Sequence, residues 1–449
     1  MSWGVSNQSI QELEDKLFSQ ILMEQQQFQS IKMPDPDKAK TSKDSSLELS
    51  HTRGTDFKNH PLFTGRGHGP FVELSDGSVK LDLIGGIGPY ILGHSHPLQI
   101  RSFLKASRGC LLNSTNFIPA DLSLELSKSL LDFCHGSSLS HCWFSGSGSM
   151  ANDSAMRLLW SKRKPRTRIL AFENSFAGRS LVMQSITQGD SSAKDLLIDY
   201  ISFPNDETSA IKAVGQLELL LSQHPDDYIT FYGELVQGEA GINLPHAGSL
   251  KKIFGLIKQS NIPIWIDEVQ TFARTTKLFA FQKFQVEEFV DICTIGKAFN
   301  ISAVLFSSPF SLKQGLGGTF QANIASIFFA IDLLRLFKHG QFFEANARAI
   351  KLENELRQMF DTISKSVQSV NCRTHGVGLM WAMSFEDGSD EFIDALLKTL
   401  FDNGIIAWRA GRQHFCLRML FPYTLTTSHL KEIHRVFEQS LSQLQELEN

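Results

Sequence analysis

From about residue 141 the chain alternates short apolar runs with longer amphipathic runs. The short runs predict buried strands, namely HCWF (141–144), RILAF (168–172), YITFYGELV (228–236) and IPIWIDEV (262–269). Apolar residues recur at helical spacing between several of them, as in ANDSAMRLLW and LKKIFGLIKQS. Strands that alternate with helices predict an α/β fold, in which a largely parallel sheet lies between helices and ligands bind at the carboxyl ends of the strands.

Both ends of the chain carry different patterns. Residues 10–31 place apolar side chains at helical spacing, which predicts an arm that either covers the body of the protein or pairs subunits. The polar stretch PDPDKAKTSKDSS after it predicts a flexible linker. Near the other end, VGLMWAMSF (377–385), HFCLRMLF (414–421) and a terminal helix predict a smaller α/β unit. We therefore expect an arm, a linker and the start of a small domain over 1–76, a large domain over 77–322, and a connecting helix with the rest of the small domain over 323–449.

Composition narrows the class of protein. The 449 residues are 42% hydrophobic and 20% charged with a net charge of −4, which is typical of a globular protein and gives no basic excess for nucleic acid. The most apolar stretch, SIFFAIDLLRLF (326–337), contains two charges and fits a packed helix better than a membrane span. The six cysteines are scattered, and the first residues lack a signal-peptide pattern. We expect a soluble cytoplasmic protein with no metal site.

A Gly/Ser turn in FSGSGSMANDSAM separates a predicted strand from a predicted helix. Glycines let the backbone approach an anion closely, and the free N–H groups at the start of a helix favour a phosphate. The turn is therefore either a phosphate cradle or an ordinary connection. It matches neither the P-loop pattern nor the GxGxxG dinucleotide pattern, which disfavours both of those cofactor sites.

Two charged residues follow predicted strands further along the chain. In IWIDEVQ an apolar run leads directly into Asp267, and a carboxylate there needs a partner. That partner is either a nearby arginine, or a protonated heterocyclic nitrogen or a metal. In DICTIGKAF, Lys297 follows a short β-type run. Its amine either reaches solvent or is desolvated, which lowers its pKa and makes it a nucleophile suited to Schiff-base chemistry.

Taken in order, these segments resemble the class III (ω-amino acid type) aminotransferases of the fold-type I pyridoxal-phosphate (PLP) enzymes. The resemblance runs from about Gly69 to the end of the chain. It rests on GHSHP (93–97), SGSMAN, FENSFAGRS, ELVQGEAG and IDEVQTFARTTKLFAFQ followed by DICTIGKAF. It implies a seven-stranded, mostly parallel sheet in the large domain, PLP (pyridoxal 5′-phosphate) as cofactor, and a homodimer with shared active sites.

The resemblance also implies a reaction. An amine or an ω- or α-amino acid would give its amino group to a 2-oxo acid by a ping-pong mechanism. An aminomutase, a decarboxylase or an epimerase would use the same machinery, since the protein selects which bond at the α-carbon breaks by fine positioning. A catalytically silent protein that binds the cofactor or a partner is the alternative from a different class.

Residue by residue, the resemblance assigns roles around the cofactor. Lys297 would form the Schiff base and then move a proton, and Asp267 would pair with the pyridine nitrogen. Gln270 would hydrogen-bond the 3-hydroxyl of the ring, and Phe176 would stack on its face. The phosphate would be held by Ser147, Gly148, Ser149 and, reaching from the neighbouring subunit, Thr319.

For substrate recognition the resemblance assigns Arg418, in LRMLFP, to grip a carboxylate through two parallel hydrogen bonds. Glu234 would pair with Arg418 when no α-carboxylate is bound, which would admit two different substrates in turn. The same two residues could also form a purely structural salt bridge. For His94, His96 and Arg274 we expect structural roles.

Several positions depart from the usual family pattern, and they cluster around the cofactor. The departures include Met150, Phe176 with Ala177, Leu235, Phe272, Thr276 and the AFNISA segment after Lys297. Most of them replace polar or small groups with bulkier ones. They imply retained cofactor chemistry in a reshaped, more apolar pocket.

Overall fold

The computed structural model describes residues 8–55, 61–109, 113–114, 120–188, 196–313, 315–340, 342–344, 347–366, 372–385, 389–412 and 415–448. Its α-helices are α1 (Gln8–Gln25), α2 (Pro36–Arg53), α3 (Pro97–Ser107), α4 (Asp121–Leu131), α5 (Gly148–Arg163), α6 (Leu181–Gln188), α7 (Glu207–Gln223), α8 (Ser249–Gln259), α9 (Ala280–Lys283), α10 (Ile324–His339), α11 (Arg348–Ser366), α12 (Asp390–Asp402) and α13 (Thr427–Glu448).

The strands in the same part of the chain are β1 (Phe63–His68), β2 (Phe71–Leu74), β3 (Val79–Asp82), β4 (Asn113–Ser114), β5 (Leu139–Ser145), β6 (Arg168–Phe172), β7 (Leu197–Ile201), β8 (Tyr228–Gly233), β9 (Ile264–Glu268), β10 (Ile292–Ile295), β11 (Ser302–Ser307), β12 (Ala322–Asn323), β13 (Cys372–Val377), β14 (Met380–Phe385), β15 (Ile405–Ile406), β16 (Trp408–Ala410) and β17 (Cys416–Leu420). Among these described residues, no helix is long and apolar enough to cross a membrane.

The central sheet has seven strands in the order β5-β11-β10-β9-β8-β6-β7. Strand β11 runs antiparallel to both of its neighbours, and the other six strands run in one direction. The predicted α/β fold with a mostly parallel seven-stranded sheet is confirmed. Because the carboxyl ends of the six strands meet at one edge, the loops that follow them form a common site.

Helices cover both faces of this sheet. Along β9, Ile264 and Ile266 pack into one core cluster with α8, whereas Trp265 packs into a second cluster with α5. All three side chains are fully buried. Alternate residues of a strand point to opposite faces, so a strand covered on both sides must be apolar throughout. Burial of each such side chain contributes about 1.5–3 kcal/mol.

Two four-stranded sheets stand beside the central one, with strand orders β1-β2-β3-β15 and β13-β14-β17-β16. In the first, the late strand β15 pairs in parallel with β3, so the sheet joins distant parts of the chain. The expected boundary at residue 77 falls inside it, between β2 and β3. In the second, Arg418 lies on β17 between Ala382 of β14 and Trp408 of β16.

The predicted flexible linker is wrong, because residues 36–53 form α2. The Asp35 side chain accepts a hydrogen bond from the Asp37 N–H at the helix start, and Pro36 occupies the first helical position. Ser42 is buried and bonds to Ser75 near β2. A capping aspartate followed by proline is a strong helix start, and it outweighs the polar composition that suggested a loop.

Candidate active site

The loops that follow the parallel strands bring the predicted cofactor residues to one edge of the central sheet. Each loop supplies a different group: Ser147, Gly148 and Ser149 after β5, Phe176 after β6, Glu234 after β8, Asp267 at the end of β9, and Lys297 after β10. Residues more than a hundred positions apart therefore share one site.

The predicted phosphate cradle lies at the start of α5. Ser147 caps this helix, with its Oγ 3.3 Å from the Met150 N–H that donates to it. Gly148 packs so tightly that a Cβ there would lie 2.8 Å from Val269 Cγ1. Ser149 Oγ accepts a hydrogen bond of 3.1 Å from the Arg179 N–H, which ties the cradle to the loop carrying Phe176. The exposed N–H groups of a sixteen-residue helix suit a phosphate.

Asp267 is held by three donors. Its Oδ2 accepts from Asn152 Nδ2 at 2.7 Å and from the Tyr232 hydroxyl at 2.9 Å, and its Oδ1 accepts from the Val269 N–H at 2.8 Å. Desolvation raises the pKa of Asp267, and these hydrogen bonds and the positive charge of Lys297 partly oppose that rise. Since a carboxylate offers about four acceptor positions, it retains capacity for one further donor.

Lys297 follows Gly296 at the carboxyl end of β10 and opens a short 3-10 helix. Its backbone φ is +43°, a strained conformation for a residue other than glycine. Burial lowers the pKa of Lys297 to about 8, although Glu239, whose Oε1 lies 3.9 Å from Nζ, acts to raise it. The charge of Lys297 acts on Asp267, so the two side chains lie close enough to interact electrostatically.

The loop carrying Phe176 is fixed through its backbone. The Phe176 N–H donates to Glu234 Oε2 at 2.8 Å, and the Phe176 carbonyl accepts from the Tyr232 hydroxyl at 2.9 Å. Burial, reinforced by the nearby charge of Asp267, raises the pKa of Glu234 to about 8. Glu234 is therefore a support for the loop of the predicted stacking ring.

Arg418 pairs with Glu239, at 2.7 Å between Nη1 and Oε1, and this corrects the expectation that its partner is Glu234. Glu234 is occupied by the Phe176 N–H, whereas the backbone of Glu239 is tied to the small sheet by the Gly411 N–H, at 2.9 Å. Desolvation opposes ionisation of Glu239, but the charge and hydrogen bond of Arg418 outweigh it and lower the pKa of Glu239.

Gln270 joins this pair. Its Nε2 lies 3.3 Å from Glu239 Oε1, and its Oε1 lies 3.4 Å from Arg418 Nη1. A Cβ at Gly238 would lie 1.8 Å from Gln270 Oε1, so a larger residue there would displace the Gln270 side chain from its present position. Gln270 thus contacts both members of the Arg418–Glu239 pair, and its predicted bond to a ring hydroxyl stays a prediction.

Three residues that support the site were not predicted from the sequence: Asn152, Tyr232 and Glu239. Asn152 lies one turn into α5 and Tyr232 lies on β8, so both could be assigned to elements but not to a partner. Glu239 stands in the same ELVQGEAG segment as Glu234, and the sequence does not say which carboxylate reaches Arg418.

Thr319 lies on an exposed segment. The next residue, Phe320, is 75% exposed, and its carbonyl oxygen would lie 3.1 Å from a Cβ placed at Gly146. The segment is anchored to α5 by the Arg157 guanidinium, which donates to the Leu316 carbonyl at 2.6 Å. It therefore runs past the phosphate cradle of its own chain.

The residues expected to be structural have structural contacts. His94 Nε2 lies 3.0 Å from Asp82 Oδ2, and the His96 side chain accepts from the Leu98 N–H at the start of α3. Buried Arg274 donates to the carbonyls of Gly88 and Phe421, which connects the loop after β9 with two other segments near Lys297. These contacts give all three side chains a structural role, although Arg274 Nε is buried without a hydrogen-bond partner among the described residues.

The residues present fit pyridoxal phosphate. The cradle offers N–H donors for a phosphate, Asp267 has a free acceptor position for a ring N–H, and Lys297 supplies an amine of lowered pKa. In Arg418, Nε and Nη2 are buried without a hydrogen-bond partner among the described residues, which suits a carboxylate of the substrate.

Comparison with known proteins agrees with this geometry. The family model of the class III aminotransferases matches residues 54–441. Among similar proteins, the acetylornithine aminotransferase of Lactococcus lactis is 27% identical over 415 residues, covering 86% of this chain and 99% of that protein. The acetylornithine aminotransferase of Caldanaerobacter subterraneus is 25% identical over 405 residues, covering 86% of this chain and 96% of that protein.

Solved structures show the same fold. The lysine aminotransferase of M. tuberculosis superposes with a TM-score of 0.78 at 20% identity, covering 89% of this chain and 99% of the other. The taurine:2-oxoglutarate aminotransferase of Bifidobacterium kashiwanohense was solved with PLP and glutamate. It superposes with a TM-score of 0.78 at 17% identity, covering 90% of this chain and 98% of the other. The chain therefore belongs to the class III aminotransferases, a family of pyridoxal-phosphate-dependent transaminases.

Proposed function

We propose that this protein transfers an amino group from an amine or amino acid to a 2-oxo acid, with Lys297 as the covalent anchor of the cofactor. The observation that carries the proposal is that Lys297, Asp267 and Arg418 lie close together near the carboxyl edge of the central sheet. Glu239 lies within ion-pair distance of both Lys297 and Arg418, and the charge of Lys297 acts on Asp267. Pyridoxal phosphate, when bound, supplies an aldehyde that accepts the amine and a ring that withdraws electrons from the substrate carbon.

Each residue of this set has a separate task. Asp267, positioned by its three donors, would hold a proton on the ring nitrogen. Lys297 Nζ, with a pKa of about 8, exists at neutral pH in both its charged and its neutral form, so it can deliver or remove a proton at the reacting carbon. The α5 terminus with Ser147, Gly148 and Ser149 would hold the phosphate, and Phe176 would cover the ring.

Arg418 and Glu239 distinguish the two substrates. A substrate carboxylate binds the Arg418 guanidinium by two parallel hydrogen bonds and displaces Glu239. When the substrate has no carboxylate at that position, Glu239 neutralises Arg418, as at the 2.7 Å distance of the present structure. Glu239 thus takes the role that we first assigned to Glu234.

The active protein is a homodimer with shared active sites. Exposed apolar residues support this assembly: Leu13 and Leu17 on α1 are 65% and 50% exposed, and Phe320 is 75% exposed. In the dimer, Thr319 reaches the phosphate bound by the partner, and α1 contributes to the contact between subunits.

Visible absorption spectra of the purified wild-type protein and of the Lys297→Ala variant test the proposal. Wild-type protein supplied with pyridoxal phosphate should show a yellow band that bleaches on addition of an amino donor and returns on addition of 2-oxoglutarate or pyruvate. Lys297→Ala should lose the band and lower the rate by about 10²–10⁴-fold or more. Mass spectrometry of the products should find a new amino acid in equal amount to the deaminated donor.

The matched control is Lys277→Ala, which removes an exposed lysine on the loop after β9. This variant should keep both the band and the rate. A band that persists in Lys297→Ala, or wild-type protein that takes up no pyridoxal phosphate, would contradict the proposal. An isomer of the donor or carbon dioxide as the main product would show that the same residues serve a different reaction.

A further inference from the structure

A cavity of about 910 Å³ lies outside the proposed active site. Its walls are the segment between α1 and α2, the turn between β1 and β2, the residues that lead into α3, and the start of α13. Among the described residues, none of those assigned to the cofactor or to the substrate carboxylate lines it. A cavity of this size suits a small organic molecule.

Histidines from three separate segments line this cavity, namely His68, His94, His96 and His429. Two of these segments are paired through their backbones. The Gly69 N–H donates to the His94 carbonyl at 3.1 Å, and the His94 N–H donates to the Gly69 carbonyl at 2.7 Å. The charge of His68 acts on both His96 and His429, so these three rings lie close to one another.

Two of the rings are oriented by helix starts. His96 Nδ1 accepts from the Leu98 N–H at 3.2 Å, and His429 Nδ1 accepts from the Thr426 N–H at 3.1 Å. Burial, reinforced by the charge of His68, lowers the pKa of His96 to about 4 and also lowers the pKa of His429. Both rings are therefore neutral at neutral pH. Since each Nδ1 accepts a hydrogen bond, each ring carries its proton on Nε2 and offers a donor there.

Two further polar atoms at the cavity are buried and unpartnered. His68 Nδ1 and Thr424 Oγ1 have no hydrogen-bond partner among the described residues. The Thr424 hydroxyl faces the turn between β1 and β2, since a Cβ at Gly69 would lie 3.8 Å from its Oγ1. Buried polar atoms are nearly always hydrogen-bonded, so these two atoms indicate a ligand in the cavity.

The cavity offers more donors than acceptors. Its carboxylate, Glu432, is occupied by Arg435, with Oε2 at 3.0 Å from Nε and Oε1 at 2.6 Å from Nη2. The start of the 22-residue α13 adds the positive end of a helix dipole. A metal ion needs the lone pair of a ring nitrogen, whereas Nε2 of His96 and of His429 carries a hydrogen. An excess of donors suits an anion.

We propose that this cavity binds a phosphate group, with the Nε2–H groups of His96 and His429 and the Thr424 hydroxyl as donors. These donors come from the start of α3, the start of α13 and the segment before α13, which suits a tetrahedral anion better than a planar carboxylate. Ile31 and Phe71 give the cavity an apolar wall for the rest of a phosphate ester. The site is separate from the proposed active site and does not depend on its function.

Calorimetric titration with inorganic phosphate at neutral pH tests the proposal. The protein is first saturated with pyridoxal phosphate, which fills the predicted phosphate cradle at α5. Wild-type protein should bind one phosphate per chain. His96→Asn keeps an acceptor for the Leu98 N–H but removes the ring donor, so the helix cap is retained. It should weaken binding about tenfold or more, as expected for loss of a hydrogen bond to a charged group.

Thr424→Val separates a binding role from a structural one. It keeps the shape of the side chain and removes the unpartnered hydroxyl. Phosphate binding should weaken, whereas stability to urea should stay equal or rise, because a buried hydroxyl without a partner is lost. His51→Asn, at an exposed position on α2, is the control and should leave both measurements unchanged.

Two further probes identify the source of the phosphate group. Tighter binding of phenyl phosphate than of inorganic phosphate would assign an ester with an apolar body, and equal binding would assign the free ion. Acetate that binds as tightly as phosphate would overturn the proposal, as would Zn²⁺ binding that is lost in His96→Asn.

Absence of phosphate binding to wild-type protein, or equal affinity in wild-type, His96→Asn and Thr424→Val protein, would also overturn the proposal. If the protein takes up no pyridoxal phosphate, the proposed function has failed, and the two variants still decide this inference. Neither residue belongs to the cradle at α5, so phosphate bound there is unaffected by their replacement.

Discussion

One carboxylate, that of Glu239, contacts both cations of the active site. It pairs with Arg418 and acts on Lys297 Nζ from 3.9 Å, and the second interaction raises the pKa of Lys297 against the effect of burial. The charge of Arg418, the proposed substrate-binding residue, and the proton on Lys297 Nζ, the proposed catalytic amine, are therefore linked through one side chain. A substrate carboxylate that displaces Glu239 from Arg418 changes the surroundings of the amine as well.

Glu239→Gln should shift the pH dependence of cofactor uptake to lower pH. The neutral amine of Lys297 reacts with the aldehyde, so uptake by the wild-type protein should rise through a midpoint near pH 8. Removal of the negative charge of Glu239 disfavours the ammonium, which lowers the pKa and the midpoint. Stopped-flow absorbance after addition of pyridoxal phosphate measures this midpoint. The series should span about three pH units, from roughly pH 6 to 9, because a buried lysine can shift by that much.

Asp394→Asn is the control for this measurement. It removes a carboxylate on α12 that pairs with Arg409 and that is not among the principal influences on Lys297. Its midpoint should match that of the wild-type protein. A Glu239→Gln midpoint at or above the wild-type value would refute the electrostatic link.

Single residues were predictable where a strand pattern led directly into a charge, as at Asp267 and Lys297. Their partners were not, because Asn152 and Tyr232 reach Asp267 from another helix and another strand. The choice between Glu234 and Glu239 depended on a hydrogen bond from Gly411, far away in sequence. Packing between elements determines which side chains contact Asp267 and Arg418. The order of residues within one segment does not indicate that packing.

At the scale of elements, Glu268 holds the turn that follows β9. Its Oε2 accepts from the Ala280 N–H at 2.8 Å and the Thr271 hydroxyl at 2.9 Å, and its Oε1 accepts from the Phe281 N–H at 2.9 Å. Burial raises the pKa of Glu268 to about 7 despite these donors. The residue next to Asp267 is thus a structural carboxylate that connects β9 to α9.

Glu268→Gln should destabilise the protein by about 1–3 kcal/mol, because an amide N–H₂ would face a buried N–H donor. Either orientation of the amide leaves at least one backbone donor of α9 without an acceptor. Urea unfolding followed by circular dichroism measures the loss. Glu288→Gln, at an exposed position nearby, should change the free energy of unfolding by less than about 0.5 kcal/mol; equal values for the two variants would exclude the assigned role.

The elements of the central sheet were predictable where an apolar run stood between helical patterns, as for β6 and β9. Strand β7 was not predicted, since it lies at the edge of the sheet and contains Asp199, which pairs with Arg168 of the neighbouring strand. Helix α2 was missed because its polar composition masked the Asp35–Pro36 start. Edge positions and surface helices bury little, so their apolar pattern is weak.

At the scale of the whole molecule, the proposed homodimer with shared active sites makes a prediction about mixed subunits. Lys297→Ala protein keeps an intact Thr319, and Thr319→Asp protein keeps an intact Lys297 but places a negative charge where the partner's phosphate binds. Each variant alone should be nearly inactive, whereas subunits mixed, unfolded and refolded together should regain part of the wild-type rate. Mixtures no more active than the separate variants would show that each chain completes its own site.

The overall architecture was the most predictable level, since strand and helix alternation determines a parallel sheet with its ligands at the carboxyl edge. The two smaller sheets were less predictable. Strand β15 is two residues long and pairs with β3, which lies more than three hundred residues earlier. Pairing at such separation leaves no local pattern in the sequence.

The pairing of β3 with β15 also sets an order of events during synthesis on the ribosome. All seven strands of the central sheet leave the ribosome before β15 does, whereas β3 must wait for its partner. At about 5–20 residues per second, that wait is on the order of 15–60 s. During this wait the edge of β3 that later pairs with β15 lacks that partner strand. Arg418, which follows β15, is the last of the predicted site residues to be synthesised. The part of the site that we propose to bind the substrate carboxylate is thus completed when translation is almost over.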